Sequence, residues 1–150
     1  VRDASGHATQ FIVAIEDITA RKDAEEALRQ SEERFRAAFD QSVVGIALTD
    51  VEGRVQRINE AFSRMVGRTL DELIGKDSGA FTHPQDTQRS FEILSQLKRR
   101  ENRNSVFQER YIHKDGRTVF AHVSISAISD KEGKVIGFVS IIEDVTEQKK

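Results

Sequence analysis

Apolar residues recur along the chain in two rhythms. In "ARKDAEEALRQSEERFRAAFD", Ala20 to Asp40, Leu28 and Phe35 stand seven apart, and Ala24, Ser31 and Ala38 form a second seven-spaced row. The stretch has no Gly or Pro, so it predicts a helix with a short heptad seam. Glu25–Arg29 and Glu32–Arg36 add i,i+4 pairs with the acid on the N-terminal side. One row of the seam is small or polar, so two readings stand: a coiled-coil contact, or an amphipathic helix packed on its own domain. Ahead of it, Phe11 to Ile18 is apolar and β-branched and predicts a strand, with Thr19 as the N-cap of the helix that follows.

Beyond Asp40 the rhythm shortens. "VVGIALTD" and "RVQRIN" predict two strands joined by the turn residues Asp50 to Gly53. "NEAFSRMVG" places Phe62, Met65 and Val66 on one helical face, with Asn59 as cap and Gly67 as stop, and "TLDELIG" repeats this on a smaller scale. Pro84, the only proline, suits the first turn of a helix running to Arg100, on which Phe91, Leu94 and Leu97 keep helical spacing. Lys98, Arg99 and Arg100 crowd its end, where cations suit the helix dipole.

The last third reads as strands. "VFQERYIH" and "TVFAHVSISAI" flank "KDGR", a hairpin signal, and "DKEG" turns into a final strand. With Asp115 and Gly116 as a two-residue turn, Ile112 faces Val119, Tyr111 faces Phe120, Arg110 faces Ala121 and Glu109 faces His122. Alternation then puts Gln108 and Arg110 with Val119, Ala121, Val123 and Ile125 on the helix-covered face, and Glu109, Tyr111, Phe120 and His122 on the other. The order β-β-α-α-α-β-β-β is that of an α+β domain: a five-stranded antiparallel sheet with helices on one face, preceded by an amphipathic linker helix.

The two ends of the chain agree. Asp3, Gly6, Phe11, Ile15, Glu16, Asp17, Thr19 and Lys22 recur at one constant spacing as Asp130, Gly133, Phe138, Ile142, Glu143, Asp144, Thr146 and Lys149. A fixed offset across turn, strand and strand exit is the mark of an internal repeat.

Composition narrows the functional classes. The 150 residues carry a net charge of −2, which provides no overall basic field for nucleic acid or an anionic membrane. No cysteine is present, so disulfides, thiolate nucleophiles and cysteine-ligated metals are excluded and a reducing, cytoplasmic setting is expected. Asp71–Glu72 and Glu143–Asp144 are adjacent carboxylates, which point apart on helices and alternate faces on strands, so neither is an acid/base pair. His7, His83, His113 and His122 are too dispersed for a metal cluster, and no serine has a His and Asp in register with it. The fragment is expected to be non-catalytic.

"SEERFRAAFDQSVVGIALTDVEGRVQRINEAFSRMVGRTLDELIGK", then "HPQD", then "RYIHKDGRTVFAHVSISAISDKEGKVIGFVSIIEDVTEQKK" resemble a PAS sensor domain with its C-terminal motif. "EDIT" at Glu16 to Thr19 is similar to the close of a preceding PAS domain. The resemblance implies a division into 1–19 as the C-terminal strand region of that preceding domain, 20–40 as a helical linker, 41–146 as the PAS domain and 147–150 as the start of an exit helix. It also implies a sensory or relay module of a bacterial histidine kinase or diguanylate cyclase type of protein, flanked by an adjacent PAS and an output domain. Asp144 and Thr146 would relay signals out of this domain, and Asp17 and Thr19 out of the one before.

The flavin-binding branch of the family would need a cysteine and ring-binding amides, whereas Ala121 and Ile142 stand where Asn and Gln are expected. The haem branch would need a histidine on the long helix, where Gln85 to Arg100 has none; His83 lies before it. Neither flavin nor haem is expected. A homodimer is expected through Leu28 and Phe35 on the linker and Tyr111 and Phe120 on the open sheet face. Six phenylalanines (Phe62, Phe81, Phe91, Phe107, Phe120 and Phe138) suit a self-filled interior, while Gln108 and Arg110 on the covered face would suit an anionic metabolite or an internal ion pair with an acid such as Asp144 or Asp50. A relay module without ligand and a small-molecule receptor are therefore both carried forward.

Overall fold

The computed structural model describes the backbone of residues 2–149 and the side chains of residues 12–147. Two compact units are present, a helical one ending at Ala38 and a second from Phe39 onward.

The first unit is helix α1, Arg2–Gln41, which continues three residues into the second. The strand expected over Phe11 to Ile18 is helical, and Thr19 lies mid-helix instead of capping one. The reason is pairing. A strand must hand its backbone groups to a neighbour, and the five described strands pair only with one another, whereas a helix satisfies them within the segment. Ile12, Ile15 and Ile18 therefore form an exposed apolar row three residues apart. Asp17 pairs with Arg21 at 3.5 Å. Arg29 takes Glu26 and Glu33 as partners, not Glu25, at spacings of three and four residues. Leu28 and Phe35 are 60% and 49% exposed.

The second unit is an antiparallel sheet in the order β2-β1-β5-β4-β3. Its strands are β1 (Gly45–Thr49), β2 (Val55–Ile58), β3 (Asn104–Ile112), β4 (Thr118–Ser129) and β5 (Val135–Asp144). Between β2 and β3 lie α2 (Glu60–Val66), α3 (Leu70–Leu73), a 3-10 turn at Ser78–Ala80 and α4 (Pro84–Lys98), and α5 (Thr146–Lys149) leaves the sheet. The expected element order holds throughout this unit.

Local chemistry starts each helix. Asn59 accepts from the Phe62 N–H at the head of α2, Thr69 and Glu72 form a reciprocal capping box on α3, and Pro84 occupies the first position of α4. Asn59 does more than cap. It is 1% exposed; its Oδ1 also accepts from Ile46 N at 2.9 Å, and its Nδ2 donates to Phe39 O at 2.8 Å and Val44 O at 3.0 Å. One amide thereby pins the residues leading into β1 to the start of α2.

The β3–β4 hairpin departs from the two-residue turn. His113 pairs with Arg117 through the His113 N–H and Arg117 O at 2.9 Å, leaving the three-residue loop Lys114–Gly116. Gly116 N–H donates to His113 O at 2.8 Å, and Gly116 has φ +96°, a conformation costly for any side chain. The same construction, with glycine fourth, closes Asp50–Arg54 and Asp130–Lys134. The extra residue slips the register: Tyr111 pairs with Val119, Arg110 with Phe120, Glu109 with Ala121 and Gln108 with His122. Every β3 side chain therefore faces opposite to the expectation.

The core follows from this register. Phe62, Phe81, Tyr111, Val119, Ala121, Val123 and Ile142 pack between sheet and helices, continuous with Leu97, Ile125 and Phe138 through the partly buried Phe107. Two of the six phenylalanines counted toward the interior lie elsewhere, Phe120 on the open face where strand alternation puts it. Phe91 is 66% exposed on the far side of α4, and Phe120 is half-buried on the open sheet face.

Candidate functional site

The inner face of the sheet and the helices enclose a cavity of about 60 Å³. Its walls are mainly apolar and include Phe62, Phe81, Phe107, Leu94, Ile125 and Ile142. Phe62, Phe81 and Tyr111 meet edge to face, with centroids 5.4–5.7 Å apart, and close one end.

Polar side chains break this lining, among them Thr49 from β1, Ser90 from α4 and Glu109 from β3. Thr49 Oγ1, Ser90 Oγ and Glu109 Oε1 are each buried without a hydrogen-bond partner in the protein. Burial raises the Glu109 carboxyl to about 7, while the neighbouring Tyr111 hydroxyl and the more distant Arg89 pull the other way. Burial likewise raises the Tyr111 phenol well above its ordinary value, and Glu109 adds to the effect. A buried carboxyl poised near neutrality in an apolar cavity is the chemically distinctive feature of the interior.

Sequence reasoning missed this site because the assumed turn placed Glu109 and Tyr111 on the open face. A signal was present in the glycine at the fourth position of "HKDG", as in "DVEG" and "DKEG". Gln108 and Arg110, expected inside, are instead on the opposite face. Arg110 reaches round the sheet edge to Asp86 on α4, with Nη2–Oδ1 at 2.8 Å and Nε–Oδ2 at 3.1 Å. Arg110 thus forms an ion pair at the sheet edge instead of inside, with Asp86 in place of Asp144 or Asp50, and the guanidinium holds the Asp86 carboxyl below its usual range. Asp86 also accepts from Arg110 N, while Ile112 N donates to Phe81 O at 2.7 Å and His83 N to Arg110 O at 2.8 Å. The segment before and into α4 thereby covers the free edge of β3.

The dimer-seam residues divide. Leu28, Phe35 and Phe120 present surface, whereas Tyr111 is 3% exposed in the core and is unavailable to a partner. At the exit, Asp144 ends β5 and its Oδ1 accepts from both Thr146 N (2.9 Å) and Thr146 Oγ1 (2.6 Å). Thr146 Oγ1 in turn accepts from Phe120 N at 3.1 Å. The capping acceptor is therefore Asp144, and Thr146 ties the exit to β4.

The remaining candidates have structural employment. His83 Nδ1 accepts from Gln85 N at the head of α4, and His113 Nδ1 accepts from Asp115 N in the hairpin turn. His122 is exposed, and His7 lies outside the described side chains. Among the described residues no three His, Asp or Glu converge as a metal site. Glu72 pairs with Lys114, Lys98 with Glu52 and Arg99 with Glu101, so the basic cluster after Leu97 is largely neutralised. Ala121 and Ile142 are buried in the sheet. No described helix is long and apolar enough to cross a membrane.

Among curated proteins, the sensor histidine kinase TmoS of Ectopseudomonas mendocina is 32% identical over 123 residues, covering 82% of this chain and 13% of that protein. The probable diguanylate cyclase DgcE of Escherichia coli K12 is 28% identical over 123 residues, covering 82% of this chain and 11% of its own length. The chain thus spans a small part of these relatives. Among solved structures, a PAS domain from Colwellia psychrerythraea superposes with a TM-score of 0.69 at 23% identity, covering 81% of this chain and 98% of that one. An RNA-binding light-oxygen-voltage receptor gives 0.68 at 18% identity, covering 79% and 34%. These structural likenesses speak to the fold. The PAS domain family model matches residues 43–147, which spans the whole sheet and its helices, and the chain belongs to the PAS domain family.

Proposed function

We propose that this PAS domain is a relay and dimerisation module of a multidomain bacterial signalling protein, coupling its sheet to an output domain of the kinase or cyclase type through the exit after β5. The observation that carries this is the Asp144–Thr146–Phe120 junction, where the first residues of α5 bond at once to the end of their own strand and to the neighbouring strand. A shift of β4 against β5 would strain or release these bonds. The relatives, a histidine kinase and a diguanylate cyclase in name, support an output of that class, and a chain without cysteine suits a reducing, cytoplasmic setting. The constant spacing between the two ends supports reading residues 1–19 as the close of a preceding like module, with Asp17 and Thr19 in the places of Asp144 and Thr146.

Dimerisation is assigned to Leu28 and Phe35 on α1 and to Phe120 on the open sheet face, since their apolar surface is exposed or half-exposed. No flavin adduct or haem is assigned, because the chain has no cysteine and α4 has no histidine. The test fuses the chain at Lys150 to a diguanylate cyclase. Asp144→Ala and Thr146→Ala should change basal cyclase output while the melting temperature moves by a few degrees at most. Leu28→Glu with Phe35→Glu should yield monomers by light scattering. Wild-type output in both junction variants would reduce the junction to a linker.

A second reading, a receptor for a small molecule held in the cavity, is favoured by one observation: among the described residues, three of the four buried side-chain polar atoms without a partner line the same apolar space.

A further inference from the structure

We infer that the interior cavity receives a small organic cation, a short aliphatic ammonium, whose charged end pairs with Glu109 while its carbon chain lies among the phenylalanines. The inference rests on the receptor reading of the cavity and names the ligand class.

Charge decides the class first. Glu109 is the one side chain lining the cavity that ordinarily carries charge near neutral pH, and no Lys, Arg or His joins it there. An anion would find no countercharge and would face a carboxylate. Glu109 is 5% exposed and Ser90 7% exposed, so neither is served by bulk water. Glu109 Oε1 lacks a partner in the protein, and an ammonium brings the N–H donors such an oxygen needs. The walls agree with this choice: Phe62, Phe81 and Phe107 offer aromatic surface to a cation and to its alkyl part.

The nearby cation does not complete the pair. Arg89 on α4 donates to Gln108 O and lies over the Phe107 ring, 5.8 Å from its centroid. Of the groups acting on Glu109, Tyr111 on its own strand and Arg89 favour the charged form, and Asp86 on α4 opposes it. Burial outweighs them, so the carboxyl stays near neutrality until a cation joins it. Size sets the upper limit. A cavity of about 60 Å³ holds roughly four water-sized groups, which suits an amine of three or four carbons.

Propylammonium is the probe, with 1-propanol as the neutral isostere and propionate as the anion. Methyl NMR of the full chain should show shifts at Val123, Ile125 and Ile142 on adding propylamine at pH 7, with a Kd roughly in the millimolar range expected for so few atoms. Propanol should bind more weakly and propionate not at all. Glu109→Gln, which keeps the shape and removes the charge, should weaken propylammonium roughly tenfold or more. Binding at pH 7 should also release about half a proton, read by calorimetry in buffers of different ionisation heat, as the pair drives Glu109 fully to carboxylate. Equal affinity for propanol, or propylammonium binding unchanged in Glu109→Gln, would overturn the cation assignment while the receptor reading stood. No shift at these methyls with any of the three probes would overturn both.

Discussion

Thr146 Oγ1 accepts a hydrogen bond from the backbone N–H of Phe120 at 3.1 Å, and Phe120 O accepts from Val145 N–H at 2.8 Å. Phe120 is thus bonded on both backbone groups to the residues that lead out of the sheet. The ladder between β4 and β5 ends at Ala121 and Asp144, so these bonds carry the pairing past the end of β5 by way of a side chain. Removing the hydroxyl should free the Phe120 amide. In Thr146→Ala, hydrogen exchange at Phe120 should speed up by roughly tenfold, as for the loss of about 1 kcal/mol or slightly more, and Thr146→Ser should restore protection. Unchanged exchange in the alanine variant would mean that the hydroxyl does not hold this strand end.

Asn59 offers the sharpest stability test. Its single amide satisfies two backbone N–H groups and two backbone carbonyls, all in or beside the core. Asn59→Ala leaves those groups to find water where little room exists, and each buried orphan costs about 1–3 kcal/mol. The expected loss is at least about 3 kcal/mol by urea unfolding. Asn59→Asp keeps the acceptor but loses the donors and should remain well below wild type. A loss under about 1 kcal/mol in Asn59→Ala would show that solvent or a backbone shift replaces all four bonds.

Glu109 makes stability depend on pH in a direction unusual for a carboxyl. Burial raises it from the model-compound value of 4.5 to about 7. Between these values the folded chain holds a proton that the unfolded chain has lost. Its contribution is therefore fully present below about 4.5 and is lost as pH rises through about 7. The amount at stake is roughly 3 kcal/mol. Urea titrations from pH 5 to pH 8 should show this fall in wild type, and Glu109→Gln should flatten it. If the variant kept the wild-type slope, the titrating group would lie elsewhere.

Much of the domain was legible in the sequence because its signals are local. Asn59, Thr69 with Glu72, and Pro84 announce three helix starts, and apolar periodicity places Phe62, Met65 and Val66 on the buried face of α2. The junction of Asp144 and Thr146 was legible too, although their division of labour was not: the carboxylate caps and the hydroxyl reaches across to β4. Each of these signals spans a few residues and satisfies its own backbone groups.

Tertiary pairing decided what such signals leave open. Residues 11–18 have strand composition, yet composition supplies no ladder partner, and in this chain the backbone closes its hydrogen bonds within α1. The faces of β3 depended on a single residue in the turn. A three-residue loop closed by Gly116 turns Glu109 and Tyr111 inward and sends Arg110 to Asp86. Alternation along β3 was readable from the sequence alone, but its phase was not. A strand's phase is set where it meets its neighbour, and the candidate ligand group, Glu109, lies inside because of that meeting.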